Sequence, residues 1–372
     1  MPRYAIGVAL ILGIETSCDE TAAAVVEQGR HIRANVIASQ HDLHARYGGV
    51  VPEIASRAHL ERIGPVIAEA LDRADTSFHH IDAVAVGHRP GLIGSLLVGT
   101  SAAKAIAWGT SKPLIGIDHV HAHLYGAIMS GPQPPELPAV GLVVSGGHTN
   151  LYHLTSPTLI RLLGRTIDDA AGEAFDKAAT ILQLGYPGGP NLDRAAQRGD
   201  PAGHRLPRSL LSDKSLDFSF SGLKTALLYT VRGRPAKRGA GVPAERAAGP
   251  LTDQERLNLA AAFQEAVIDV LITKIARAFA ACDTDPSPPR TLLVGGGVCA
   301  NSLLRKRATA WADERQLDLR LPAIDLCIDN GAMIAGLGFE YFKLGRFDTL
   351  DLPAMATTKR GKTVESRQWE ES

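Results

Sequence analysis

Only four of the 372 residues are cysteine, at positions 18, 282, 299 and 327, and no two form a CxxC pair. That usage excludes a disulfide-stapled scaffold and a cysteine zinc finger, and it fits a reduced, cytoplasmic protein. Net charge is also lacking. The 39 basic side chains balance 39 acidic ones, which argues against holding nucleic acid by bulk charge alone. An RNA-binding surface would have to be local or supplied by a partner. No apolar run is long enough to span a membrane. The run from Ala5 to Ile14 has the look of a weak signal-peptide core, but Glu15, Asp19 and Glu20 follow at once and no clear cleavage site is placed after it. A buried first strand is the better reading.

With 45% hydrophobic residues the chain can bury a large core, and its length suits two domains or one large one. Ile11 to Ser17 reads as a strand entering a small polar turn, and Thr21 to Glu27 as its return. Ala139 to Val144, the turn Ser145-Gly146-Gly147-His148-Thr149 and the return Leu151 to Leu154 repeat that plan. The repetition suggests a duplicated α/β architecture. Between the two units, Ile81 to Gly87 is predicted as a buried strand, Ile93 to Trp108 as a helix and Leu114 to Ile117 as a short strand. The proline-rich stretch from Pro132 to Pro138 is the expected link. Later, Thr252-Asp253-Gln254-Glu255 is a capping box opening a long helix to about Ala281. Thr291 to Val294 is a strand, and Gly295-Gly296-Gly297 turns it toward a helix near Asn301. The segment from Gly233 to Gly249 reads as a mobile loop. The chain beyond Leu350 reads as a loose polar tail.

The sharpest chemical signal is Asp118-His119-Val120-His121-Ala122-His123. On a helix, His119 and His123 share one face and can grip one metal, while His121 points elsewhere. A partly buried histidine cluster, or polar groups capping a helix, is the equally available reading. A third ligand is needed, and Asp329 in Leu326-Cys327-Ile328-Asp329-Asn330-Gly331 offers one, in a loop expected after an apolar strand. An Asp before Asn-Gly is more often a turn former. The pair is not HExxH: Val120, His121 and Ala122 lie inside it, so the general base of a zinc peptidase of that type is missing. The glycines of Ser145-Gly146-Gly147 and of Gly295-Gly296-Gly297 could let backbone N–H groups approach an anion, or simply make tight turns. In a duplicated fold the two turns are expected to face each other across an interdomain cleft. The acidic run Asp168 to Lys177 is expected on a short Ala-rich helix, either binding ribose hydroxyls or a metal, or as a solvated face with ordinary ion pairs.

Together these residues resemble the TsaD family of tRNA threonylcarbamoyltransferases, whose archaeal and eukaryotic relatives sit in the KEOPS complex. The matching segments are Gly13 to Thr21, Gly48 to Arg57, His119 to His123, Val144 to Thr149, Asp168 to Lys177, Tyr186 to Pro190, Asp217 to Thr225, Gly295 to Asn301 and Asp329 to Ala335. They run in family order over nearly the whole chain. The resemblance implies an α/β actin-like (ASKHA) fold of two RNase H-like lobes with an interlobe active site. The boundaries are residues 1–130 for the first lobe, 131–345 for the second and 346–372 for the tail, with the last helix able to pack on the first lobe. It implies one divalent metal, Fe(2+) with zinc as the alternative, on His119, His123 and Asp329. It implies a threonylcarbamoyl-AMP substrate held by Val143, Val144, Ser145, Gly146, Gly147, Asp176, Gly189, Asp193 and Asn301. Backbone N–H groups of Ser145 to Gly147 would steady the substrate's charge. The group passes to the N6 amine of the adenosine beside the anticodon, in tRNAs reading codons that start with A, and AMP is released. TsaB-like and TsaE-like proteins are the expected partners, and no general base is assigned. One departure stands out. The family's Gly-Pro-Gly-Leu is Arg89-Pro90-Gly91-Leu92 here, which is expected to alter a tight turn or the approach of a partner. Arg232, Arg234, Lys237 and Arg238 could touch a tRNA backbone or form a solvated loop. A metallopeptidase and a non-catalytic scaffold of the same fold are the competing readings; the missing HExxH counts against the first, and the ligand set against the second.

Overall fold

The structure, a computed structural model, describes residues 8–209, 211, 214–233 and 251–357. Residues 234–249 of the loop read as mobile, with Arg234, Lys237 and Arg238, and residues 358–372 of the tail lie outside them. Two compact units emerge. One comprises residues 1–135, 154–161 and 322–372, the other residues 136–153 and 162–321. The described chain from Pro322 to Thr357, including the last helix, therefore groups with the first unit.

The first unit holds strands β1 (Leu10–Glu15), β2 (Glu20–Glu27), β3 (His31–Ser39), β4 (Ala83–Arg89) and β5 (Leu114–Asp118). They form one sheet in the order β3-β2-β1-β4-β5. The first three strands are antiparallel neighbours, and β4 and β5 add in parallel. Its helices are α1 (His41–Ala45), α2 (Pro52–Arg73), α3 (Ile93–Thr110), α4 (His119–Met129) and α10 (Gly331–Lys343). Side chains alternate along a strand. On one face of β1, Leu12 and Ile14 join a core with Ile63, Val66, Ile67 and Leu71 of α2 and Ala103 and Ala107 of α3. Gly13 faces the other way, against α10. A Cβ there would sit 2.3 Å from the Gly331 carbonyl oxygen and 2.5 Å from the Ala335 nitrogen. Only glycine lets the helix come this close.

A second sheet is formed by β6 (Ala139–Val144), β7 (Thr149–Ser156), β8 (Leu159–Arg165), β9 (Thr291–Gly295) and β10 (Asp318–Arg320), all in the second unit except the end of β7 and the start of β8, which fall in residues 154–161. Their sheet order is β10-β9-β6-β7-β8, with β9 parallel to both β6 and β10. Read in chain order, this is the arrangement of the first sheet repeated: three leading strands, then two that add beside the first. The helices are α5 (Ala171–Ile181), α6 (Gly188–Ala196), α7 (Ser221–Arg232), α8 (Asp253–Cys282) and α9 (Ser302–Glu314). The predicted capping box opens α8: the Thr252 hydroxyl accepts from the Glu255 N–H at 3.2 Å, and the Glu255 carboxylate accepts from the Thr252 N–H at 2.7 Å. Phe263, Val267, Ile268 and Leu271 of α8 are buried.

Two sequence expectations need correction. Asp168 and Asp169 precede α5, which starts at Ala171. Asp168 accepts from the backbone N–H groups of Phe220 and Ser221 and so caps α7, and Asp169 pairs with Lys177 and Lys224. The only ordinary helical pair of the run is Glu173 with Lys177 at 2.8 Å. The loop before Asp329 follows a 3₁₀ turn (Ile324–Leu326) rather than a strand. Its local amino-acid pattern is short and apolar, which suits either.

Candidate metal centre and glycine-turn site

Strand β5 ends at Asp118, whose carboxylate accepts from the N–H groups of Val120 and His121 at 3.0 and 3.3 Å. This N-cap starts α4 at once, so His119 occupies its first position and His123 follows one turn later. Their rings meet edge to face, with centroids 4.7 Å apart. Asn330 caps α10, accepting from the Met333 N–H at 3.0 Å, and holds the preceding Asp329 at the head of that helix. Helices α4 and α10 pack together. The result brings Asp329 Oδ1 to 3.4 Å from His119 Nε2 and 3.2 Å from His123 Nε2. His121 is also buried but turned away, with Asp118 and Arg89 as its charged neighbours, and burial lowers its pKa.

Two observations test whether this triad suits a metal. His123 Nε2 is buried and has no hydrogen-bond partner, a costly arrangement unless something electron-poor sits there. Ligand atoms about 2.1 Å from a shared ion at tetrahedral angles lie about 3.4 Å apart, and the Asp329–histidine separations match. The outer contacts also fit. His119 Nδ1 lies 3.0 Å from Glu15 Oε2 and 3.2 Å from the Ser17 hydroxyl, the carboxylate–histidine arrangement that orients a metal-binding imidazole. Glu15 is held in turn by the Ser17 N–H at 2.5 Å. In the metal-free protein burial opposes the His119 imidazolium, but Asp329, Glu15 and Asp118 outweigh it and hold the pKa at about 9. Carboxylates crowd the same spot. Burial first, then Asp19 and Asp329, push Glu20 up to about 10, and the same effects push the Cys18 thiol well up. Cys18 is therefore a thiol here, while the three predicted ligands form the cation-attracting group.

The second constellation belongs to the other unit. Strands β6 and β9 are parallel neighbours, with Val143 opposite Gly295. The turns Ser145–Gly147 and Gly295–Gly297 thus lie side by side at the carboxyl ends of adjacent strands of one sheet. They do not face each other across an interdomain cleft as the sequence suggested, because duplication repeats the whole sheet rather than one turn per lobe. Gly296, at φ +93°, runs so close that a Cβ would meet the Val144 carbonyl oxygen at 2.4 Å. The Ser145 N–H donates to the His148 carbonyl at 2.8 Å, closing its turn, so it is spent inside the loop. Gly146 and Gly147 are exposed, and added Cβ atoms would meet nothing within 4 Å. Crevices at the carboxyl ends of parallel strands are where α/β sheets bind ligands.

The other predicted contacts cluster through hydrogen bonds. The Gly189 N–H donates to Asp176 Oδ1 at 3.1 Å. Asp193, one turn further along α6, accepts from the Ser302 N–H and hydroxyl at 3.2 and 2.7 Å. Asn301 accepts from the Leu304 N–H at 3.0 Å, capping α9, and donates to Gln264 Oε1 at 3.0 Å. Its side chain is thus committed to the fold. Val143 and Val144 are fully buried in β6 and bear on a ligand only through the turn they carry.

Comparison with known proteins gives the family. The family model of tRNA N6-adenosine threonylcarbamoyltransferase, TsaD, matches residues 31–336. A protein of that name from Symbiobacterium thermophilum is 51% identical over 93% of this chain and 95% of its own length. Another from Pelobacter propionicus is 49% identical over 96% and 99%.

The chain belongs to the TsaD family.

Among solved structures, T. kodakarensis HypF matches 93% of this chain and 49% of its own with a TM-score of 0.57 at 15% identity. Component A of the Acidaminococcus fermentans (R)-2-hydroxyglutaryl-CoA dehydratase matches 89% and 98%, with a TM-score of 0.50 at 14% identity. These likenesses show the fold alone: mixed α/β of the actin-like ATPase type, with two five-stranded sheets. Among the described residues no helix is long and apolar enough to cross a membrane.

In this TsaD-family chain, sequence reasoning singled out neither Glu15 nor Ser17 as a support of the metal ligands, although a carboxylate ending an otherwise apolar strand is a usable signal. His59 was also missed. Its ring nitrogens meet the Thr21 hydroxyl at 2.8 Å and the Cys18 carbonyl at 2.9 Å, fixing the turn that follows Glu15.

Proposed function

We propose that this protein transfers the threonylcarbamoyl group of threonylcarbamoyl-AMP to the N6 amine of the adenosine beside the anticodon, in tRNAs reading codons that begin with A. The observation that carries the reading is the convergence of His119, His123 and Asp329, with His123 Nε2 buried and making no hydrogen bond, in a chain of the TsaD family. Two histidines and one carboxylate suit Fe(2+), and zinc is the alternative. When bound, such a metal supplies Lewis-acid polarisation and a template for the threonylcarbamoyl group.

In the reaction, the N6 nitrogen bonds to the carbamoyl carbon, and the bond from that carbon to the phosphate oxygen breaks. AMP leaves with the electron pair and the amine gives up a proton. Glu15 keeps the His119 ring oriented through Nδ1, leaving Nε2 as the ligand atom. Gly146 and Gly147 offer exposed backbone to the phosphate. Asp176 and Asp193, tied to Gly189 and Ser302, shape the nucleoside side. Asn301 acts there by positioning α9. TsaB-like and TsaE-like proteins are the partners this reading requires, and the cytoplasm is its compartment.

The test is tRNA modification by purified protein with those partners, an adenylate-forming enzyme, threonine, bicarbonate and ATP, read by nucleoside mass spectrometry. Threonylcarbamoyladenosine is expected with the native protein and not with folded His119→Ala or Asp329→Asn. Its absence with the native, metal-loaded and partnered protein would leave the scaffold reading in its place.

A further inference from the structure

Outside the centre just described, one other group of metal-ligating side chains converges among the described residues. His153, Cys282 and Asp285 each bring one ligand atom within 4.8 Å of the other two. We propose that they form a second metal site, for a borderline-soft divalent cation of the zinc class.

The site is assembled from two remote parts of the second unit. His153 lies on β7 and is buried. Cys282 is the last residue of α8 and is 1% exposed. Asp285 follows in the turn that closes the helix, and its N–H donates to the Cys282 carbonyl at 3.1 Å. That bond fixes a Cys-x-x-Asp pair in a tight loop, the spacing at which short chelating loops present two ligands to one ion. The third ligand comes from the sheet itself. His153 Nε2 is 3.6 Å from Asp285 Oδ2, long for a hydrogen bond but close to the separation of two atoms bound to one tetrahedral ion. Asp285 retains 33% side-chain exposure while His153 keeps 7%, so an ion can enter from the carboxylate side.

The donor set narrows the ligand class. One thiolate, one imidazole and one carboxylate match zinc-type ions and disfavour magnesium or calcium, which take oxygen. Three protein ligands leave a fourth position for water. The same three residue types could be read as a nucleophilic triad, but the Cys282 side chain is enclosed and offers a substrate no approach. The role that fits is a clamp joining the end of α8 to β7. It is independent of the transferase reading, because none of the three residues touches the His119 centre.

Cobalt(II) provides the test, since a cobalt–thiolate bond gives an intense near-ultraviolet charge-transfer band that nitrogen and oxygen ligands do not. The titration uses the full-length protein in a Cys18→Ala background, which removes the thiol that feels the Asp329 charge; Cys327, two residues before Asp329, is buried and directed at the Pro322 and Ala323 carbonyls. Two equivalents are expected to bind, one with the thiolate band. Cys282→Ser should abolish the band, and Asp285→Asn, at a partly exposed position, should weaken it if the first variant does not fold. His119→Ala should leave the band and remove the other equivalent. A single equivalent lost with His119→Ala, or no thiolate band in the folded Cys18→Ala protein, would overturn the proposal. So would a band that survives in folded Cys282→Ser.

Discussion

Arg89 Nε stands 3.3 Å from Asp118 Oδ2, and both side chains are largely buried, at 14% and 5% exposure. Arg89 stands where the family resemblance leads one to expect a glycine. It turns inward across the β4–β5 ladder, where the two residues are paired beyond a bulge, and neutralises the carboxylate that caps the metal-bearing helix. Desolvation first, and then Asp118, raise the half-buried Tyr341 hydroxyl to about 12.

Arg89→Gly should therefore not be harmless. It strands a buried carboxylate, and removing one partner of such a pair costs about 3 kcal/mol or more. Urea unfolding should report a lowered midpoint at unchanged slope, and Arg89→Lys should recover part of the loss.

Glu15→Gln keeps the shape of the site but weakens its hold on His119 Nδ1. Loss of such an outer-shell partner typically costs roughly ten- to a hundredfold in metal affinity or activity. Chelator competition should show that drop with the circular dichroism unchanged. Equal affinity in both proteins would remove Glu15 from the metal centre.

Metal binding should depend steeply on pH. His119 in the metal-free fold is protonated up to about 9, and the imidazolium must lose that proton to become a ligand. Between pH 9 and 7 the apparent affinity should fall about tenfold per unit for this one proton. Stability of the metal-free protein runs the opposite way. A pKa raised from about 6.5 in the unfolded chain means a contribution fully present below that value and lost as pH rises through 9. Glu20, raised to about 10, pulls in the same direction. Melting temperatures of the chelated protein from pH 6.5 to 9 should decline.

Gly296→Ala combines a left-handed backbone with a Cβ 2.4 Å from the Val144 carbonyl oxygen. Such strained positions cost about 1–3 kcal/mol. The β6 and β9 turns should separate, reducing affinity for an AMP-bearing ligand more than metal content, as calorimetry and metal analysis can distinguish.

Asp168→Ala removes the acceptor shared by the Phe220 and Ser221 N–H groups. Loss of a cap of this kind costs about 1 kcal/mol. Burial opposes the depressed pKa of Asp168, but hydrogen bonds from Ser219, Ser221 and the backbone prevail. Its contribution is therefore present above the ordinary carboxylate range and lost as pH falls below it. Native and Asp168→Ala proteins should converge in stability in acid.

By itself, the sequence determined the elements whose causes are local. Apolar runs ended by polar turns set β1, β6 and β9, the Thr252–Glu255 box set the start of α8, and the four-residue spacing of His119 and His123 set one helical face. The third ligand was another matter. Asp329 reads as a turn former, and family likeness alone promoted it, because the fact that decides it lies 200 residues away: α10 packs against β1 through Gly13 and against α4. The same holds for Glu15 on His119, for Arg89 on Asp118, and for the neighbouring glycine turns that chain order had set apart. His153, Cys282 and Asp285 carry no shared pattern, since strand β7 and the end of α8 meet only when the second sheet acquires its helix. Contacts of this kind depend on the register of packed elements, and no local preference of the chain encodes them.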